Sequence, residues 1–439
     1  MANTDTLVDP AGGGLLRDIR MLLNGQRVFD IHTHLGMSGP RQARDLAGIV
    51  SYHWLAVELI RALGRKIEAN PVKDPAGYVR EALPAFPAIR NTVNHYALMG
   101  MLRDLYGVKD RTITAENWER IDGLVREHAG DPGWLAGCLD RARVEKLTVA
   151  RLQGIPDDSG RYVPYEYAEY LYATDTRKKL RALAGEEAPM PRTPEELEAA
   201  IRRRIDWLAD VQGIRALHVW HGWPWVYEPA GPGEVQAALD LLASGSDDED
   251  KDRKTLPLGL RVALASFAAD VTASAAGGHG MVIQLFHGMM LYTKTSVASH
   301  VSDWDPAFLR KLAFHMHRNP STRFDIFLAT RIPGHEAASL ARVYPNMMVS
   351  GAWWHGFTAS TLSEFFRDRL EMLPNTAWNA FYSDGYIVEW IYAKLLVAKN
   401  RLAHALAGMV EEGFLVEDDV PEIAARLLYE NATAAYLAG

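Results

Sequence analysis

The stretch "FDIHTHLGMSG", Phe29–Gly39, places two histidines one residue apart where a short apolar run ends. Val28, Phe29 and Ile31 suit a pleated, buried backbone, and the polar cluster that follows at once marks a strand end. Residues two apart on a strand share a face, so His32 and His34 can turn both imidazoles toward one cation. Two ordinary hydrogen-bonded histidines make the same pattern, so the pair alone decides little. Asp30 shares their face one step deeper, where it could orient a ligand from behind.

What lies around the pair gives it a place in a fold. Residues 1–27 read as a leader and a short helix, "LLRDIRMLLNG", which Asn24 and Gly25 end. From about 41 to 130 apolar residues recur at three- and four-residue spacing, as in "YHWLAVELIRALGRK", which predicts a large helical insertion after the first strand. Short strand candidates then alternate with helical segments: "VEKLTVA", "GIRALHVW", "GMVIQLFHG", "RFDIFLA", "NMMVSGAWW" and "AWNAFYSD". Strands alternating with helices imply parallel βαβ units, and this number predicts an α/β fold, a distorted (β/α)8 TIM barrel spanning 28–439. A charged stretch at about 244–256, "ASGSDDEDKDRKT", reads as a solvated loop.

In such a barrel reactive groups sit where the strands end. The polar residues at the proposed strand ends are His32 and His34, His218 and His221, His287, Thr330 and Arg331, Trp353 to His355, and Asp384. Asp384 would add an anionic ligand to the two imidazoles, a donor set suited to one divalent ion, zinc first, with manganese or iron as alternatives. His218 and His221 lie among aromatics in "HVWHGWPWVY", which suits a pocket wall or a packed core equally.

Composition narrows the class. The chain has 439 residues, 48% hydrophobic and 23% charged, which supports a large globular core. Its net charge of -8 lacks the basic face that a phosphate backbone requires, so nucleic acid is excluded as an expected partner. The single cysteine, Cys138, excludes an internal disulfide and a thiolate metal cluster. No signal sequence or bilayer-length apolar run is read, so a cytoplasmic protein without a membrane partner is expected, acting on a small molecule. A helical insertion of this kind suits packing in a homo-oligomer.

The combination of "FDIHTHL" on the first strand and "FYSDG" on the last resembles the amidohydrolase superfamily. Within it "SYHWLAVEL", "MVIQLFHG", "SGAWW" and "YENATAAYL" resemble motifs of the uronate isomerases along most of the chain. The resemblance implies a metal held by His32, His34 and Asp384, with Tyr52 in the place of the family's active-site tyrosine and Asp384 as a catalytic group. His287 is a further catalytic candidate, and His53, Trp353, Trp354, Arg331 and Tyr386 are expected substrate contacts.

Three positions depart from the family pattern. Tyr386 stands where the family has an arginine that binds the substrate carboxylate, and a phenol cannot supply that bidentate fork. Ser51 replaces the histidine before the tyrosine, while His53 follows it. Phe286 occupies the strand-five histidine position, with His287 one residue later; a regular strand turns it to the opposite face, and a bulge would bring it back. The expected reaction is therefore metal-dependent hydrolysis of a small carbonyl compound, with Asp384 as general base to a metal-activated water. Isomerisation of a sugar acid is the alternative, and a non-catalytic barrel the third reading.

Overall fold

A computed structural model describes residues 14–37, 39–151, 160–172, 174–184, 189–220, 227–244, 256–291, 300–302, 305–352 and 356–437, the side chains of His53, 289–291 and 300–302 excepted. Nine strands are present among them: β1 Val28–Asp30, β2 Val144–Ala150, β3 Tyr162–Tyr167, β4 Ala216–Trp220, β5 Val282–His287, β6 Met289–Leu291, β7 His300–Ser302, β8 Arg323–Leu328 and β9 Met347–Val349. Seven form one parallel sheet in the order β1-β2-β3-β4-β5-β8-β9, and β6 and β7 make a separate antiparallel pair.

The parallel order follows largely from the connections, since helices run from β1 to β2, β3 to β4, β4 to β5, β5 to β8 and β8 to β9 and leave each new strand pointing the same way; between β2 and β3 no helix is present among the described residues. Strands buried on both faces read as nearly continuous apolar runs, as in "VIQLFH" of β5, where all six residues are buried. Every strand of the sheet contributes to one inner cluster, including Phe29, Ala150, Tyr165, Ala216, Phe286, Phe327 and Met348. The last helix, Asn431–Tyr436, adds Ala432, Ala435 and Tyr436 to it. One cluster shared by all seven strands requires a strongly curled sheet.

Two expectations about strands change. "AWNAFYSD" is not a strand: Gly351 N donates to Asn379 O on the β9 side, while Asp384 N donates to His32 O and His34 N to Gly385 O on the β1 side. Asp384 sits at φ 52, in the left-handed region, which breaks the ladder there. Conversely β3 was not anticipated, because Pro164 in "YVPYEY" argues against a paired strand.

Between β1 and β2 six α-helices are present among the described residues, from Leu46–Val50 to Trp134–Arg141. Two of them, Val93–Tyr106 and Trp134–Arg141, pack on the helix Val388–Glu411, which follows the Asp384 segment and is also covered by Leu15–Gly25 and Ala359–Met372. Glu389 in its first turn accepts from Ala43 N, Tyr106 Oη and Trp134 Nε1, and Trp390 Nε1 donates to Ile49 O. These bonds fix the helix, and with it the Asp384 segment, against the insertion.

The expectation that no stretch is long and apolar enough to cross a bilayer is corrected by the helix Leu258–Gly278, with a mean hydropathy of 1.3. It packs against the helices Pro194–Asp206 and Pro232–Ala243, and over half of it is buried, which is the situation of a core helix.

Candidate metal centre

The end of β1 delivers His32 and His34, and the left-handed turn at Asp384 swings its carboxylate toward them. One ligand atom from each of the three residues fits within a span of 4.8 Å. His34 Nε2 lies 3.0 Å from Asp384 Oδ1, His32 Nε2 3.8 Å from the same oxygen, and the two Nε2 atoms are 3.4 Å apart. A left-handed aspartate costs roughly 1 kcal/mol of backbone strain, and such strain concentrates at functional positions.

The bond behind His32 assigns its tautomer, and the one behind His34 admits either. Gln284 Nε2 donates to Ile31 O at 2.7 Å and to Tyr436 Oη at 3.0 Å, which turns Gln284 Oε1 toward His32 Nδ1 at 3.1 Å. That oxygen only accepts, so Nδ1 carries the proton and Nε2 presents a lone pair. His34 Nδ1 lies 2.9 Å from Tyr167 Oη, which stands 3.2 Å from Tyr165 Oη and 3.4 Å from Met37 Sδ, while Tyr165 Oη donates to Thr33 O at 2.9 Å. With its Nδ1 hydrogen on Tyr167, His34 would present a second lone pair at Nε2, and two lone pairs and a carboxylate oxygen would then face one another, an arrangement that fits a cation; in the other tautomer Nε2 donates to Asp384 Oδ1 at 3.0 Å.

Electrostatics agree. Burial holds the His32 imidazole well below its ordinary pKa, with His34 and His218 adding to the effect, so it stays neutral and able to ligate. Burial alone would raise the Asp384 carboxyl, but His34, Lys394 and His32 outweigh it and hold it well below the usual carboxylate range. Asp30 behaves oppositely: burial raises it to about 7 against bonds from Ser383 and His32. Its Oδ1 accepts from Ser383 N at 2.8 Å and His32 N at 3.4 Å, so it pins the backbone of both ligand-bearing segments.

Around the three ligands the wall is aromatic. His218 stacks on His32 at 4.8 Å, Phe286 lies 4.6 Å from the same ring, and Phe327 stacks on Phe286 at 4.4 Å. Tyr386 packs 4.9 Å from His34, so this expected contact reaches the centre. Tyr52 is buried against Trp390 at 4.1 Å, under the ammonium of Lys394, which stands 5.3 Å from its ring. Burial, then Asp384 and Tyr386, push the Tyr52 phenol well above its ordinary pKa.

Other expected residues are not brought together. β5 pairs with β4 and β8 in unbroken register, without the bulge that would turn His287 inward. Phe286 therefore faces the centre, while His287 stacks on Phe308 at 3.7 Å and accepts from Asp305 N at 3.4 Å. Arg331 is exposed and pairs with Glu364 at 3.1 Å. The side chain of His53 and the whole of His221, Trp353, Trp354 and His355 lie outside the described residues, as does most of the charged 244–256 stretch.

Three residues at the centre escaped sequence reading. Tyr165 and Tyr167 went unseen because their strand did. Lys394, in "IYAKLLVAKN", looks like a solvent-facing lysine of an amphipathic helix, yet it is 4% exposed and its Nζ lies 4.0 Å from Asp384 Oδ2. Burial pulls its ammonium below the ordinary lysine range, with Asp384 and Asp30 opposing.

No protein-family model and no curated protein sequence matches the chain. Solved structures do match. A uronate isomerase from Thermotoga maritima shares 14% identity and a TM-score of 0.81, covering 100% of both chains. A glucuronate isomerase from Caulobacter crescentus shares 17% identity at a TM-score of 0.77, over 98% of this chain and 96% of that one. A proposed metal-dependent hydrolase from Lactobacillus casei shares 14% identity at a TM-score of 0.57, over 95% and 96%. At these identities the likeness establishes the fold, and it includes the helical insertion as well as the sheet.

Proposed function

We propose that the chain is a divalent-metal-dependent enzyme acting on a small carbonyl substrate, and that aldose–ketose isomerisation is its reaction. The observation that carries the metal is the convergence of His32 Nε2, His34 Nε2 and Asp384 Oδ1, all within 3.8 Å of one another. We read the curled sheet and the Asn379–Tyr386 segment as an eight-stranded barrel with this centre at the strand ends, where barrel enzymes keep their chemistry. Two nitrogens and one carboxylate suit zinc, manganese or iron, and a bound ion would supply Lewis acidity toward a carbonyl or water.

The protein's own groups divide the remaining work. Asp384, held ionised, is suited to ligate the ion, and it is the carboxylate in place to take a proton, though its low pKa makes it a weak base. Tyr52, held protonated by burial, donates a hydrogen bond or a proton and is a poor base. Phe286 and Phe327 keep water from one side of His32. Isomerisation is favoured because two of the structures that share the fold from end to end carry isomerase names. Hydrolysis with Asp384 as general base is the second reading, supported by Tyr386 in place of the family's arginine and by the hydrolase of the same fold.

Incubation of metal-loaded protein with D-glucuronate and with D-galacturonate, followed by a colorimetric ketose assay, tests the proposal. Ketose that forms only with metal supports isomerisation. No ketose, together with metal-dependent release of acid or amine from a panel of lactones and amides, replaces it with hydrolysis.

A further inference from the structure

Lys394 has three ammonium donors and is 4% exposed, yet among the described residues it makes no hydrogen bond. Its surroundings are the Asp384 carboxylate at 4.0 Å and the ring faces of Tyr52 and Phe357 at 5.3 and 5.5 Å. A buried charge that forgoes all its hydrogen bonds is costly, and such groups are kept where a ligand completes them.

The charge balance of the centre indicates which ligand. Without metal, Lys394 and Asp384 cancel each other. A divalent ion on His32, His34 and Asp384 takes over that carboxylate and leaves Lys394 facing a cation across it. Asp30 is the other carboxylate that acts on Lys394, and counting it as ionised still leaves the buried centre net positive. His32 is fully buried beside Phe286 and Phe327, so this excess is poorly screened.

We infer that Lys394 is the substrate's anion partner: the centre takes a substrate bearing a carboxylate or similar oxyanion, bound between the metal and the Lys394 ammonium. The inference rests on the metal site proposed above and applies to isomerisation and hydrolysis alike. Lys394 reaches the centre from the helix behind Asp384, so the positive charge missing at Tyr386 enters from a different element.

D-gluconate and D-sorbitol, six-carbon polyols that differ by one carboxylate, are suitable probes for calorimetric titration into zinc-loaded protein. Wild type is expected to bind gluconate at least 10-fold more tightly than sorbitol. Lys394→Met is expected to lose about 10- to 100-fold in gluconate affinity, the range of one charge-assisted hydrogen bond, with sorbitol binding unchanged. Lys394→Arg should keep most of the preference. The variants also report on charge without any ligand: Lys394→Met should take up zinc at least as tightly as wild type, because a repelling cation has gone. A Lys394→Met protein that folds, binds zinc and still prefers gluconate as wild type does overturns the inference. Zinc-loaded wild type that does not distinguish the two probes overturns it as well and leaves the metal site standing. Wild type that takes up no zinc removes both.

Discussion

At the scale of single residues, the two ligand histidines are set by what stands behind them. Gln284 can orient His32 because its amide is already fixed by Ile31 O and Tyr436 Oη. Gln284→Met should keep the volume and lose the orientation, weakening zinc binding about 10- to 100-fold, as removal of such supporting partners does. Competition against a chromophoric chelator measures this, and an unchanged affinity would show that His32 needs no partner. His287 makes the contrasting case. It stacks on Phe308 and serves packing, so His287→Ala should leave zinc affinity within about 2-fold of wild type while lowering the urea midpoint. A large loss of zinc would mean that β5 rearranges when metal binds.

At the scale of elements, what could be read from the sequence depended on whether an element's signal was local. β1, β2, β4, β5, β8 and β9 declared themselves as short apolar runs, and His32, His34 and Asp384 were legible through their positions at strand ends. β3 was hidden by Pro164, and Tyr165 and Tyr167 with it. The Asp384 segment had the composition of a strand, and only the backbone shows its left-handed break. The helix Val388–Glu411 is a different case: Lys394 and Lys399 are buried by elements distant in sequence, so no local signal marks them. Lys399 on that helix carries a prediction. It is fully buried without a hydrogen bond, and burial, with Arg143 adding to it, lowers its pKa to about 7. An unfolded lysine titrates near 10.4, so between these values the unfolded chain binds more protons and stability rises with pH. Below about 7 both states are protonated and the folded state bears the whole cost. Lys399→Met should therefore stabilise the protein more at pH 6 than at pH 9, by roughly 3 kcal/mol, that is about two pH units between 7 and 9 at about 1.4 kcal/mol each. Urea unfolding of both proteins at the two pH values measures the difference, and an equal gain at each would mean that Lys399 titrates normally.

At the scale of the whole molecule, the chain's last turn is coupled to its first strand. Tyr436 lies in the inner cluster 5.9 Å from Phe29, donates to Asp325 Oδ2 at 2.8 Å and accepts from Gln284 Nε2, whose other end holds His32. The terminal helix thereby fills the interior of the curled sheet and continues the line of bonds that leads to the metal ligands. Two substitutions separate these roles. Tyr436→Phe keeps the ring and removes the hydroxyl, and should cost about 1–2 kcal/mol, with zinc affinity falling less than 10-fold because Ile31 O still holds the Gln284 amide. Tyr436→Ala also leaves a cavity beneath the centre, for which about 3–5 kcal/mol is expected, and without the ring to seat Gln284 the loss of zinc affinity should exceed that of Tyr436→Phe. Urea unfolding and chelator competition on the same samples give both quantities. If Tyr436→Ala is destabilised as expected but binds zinc like wild type, the terminal helix supports the core alone, and the geometry of the centre is held locally by β1 and the Asp384 turn.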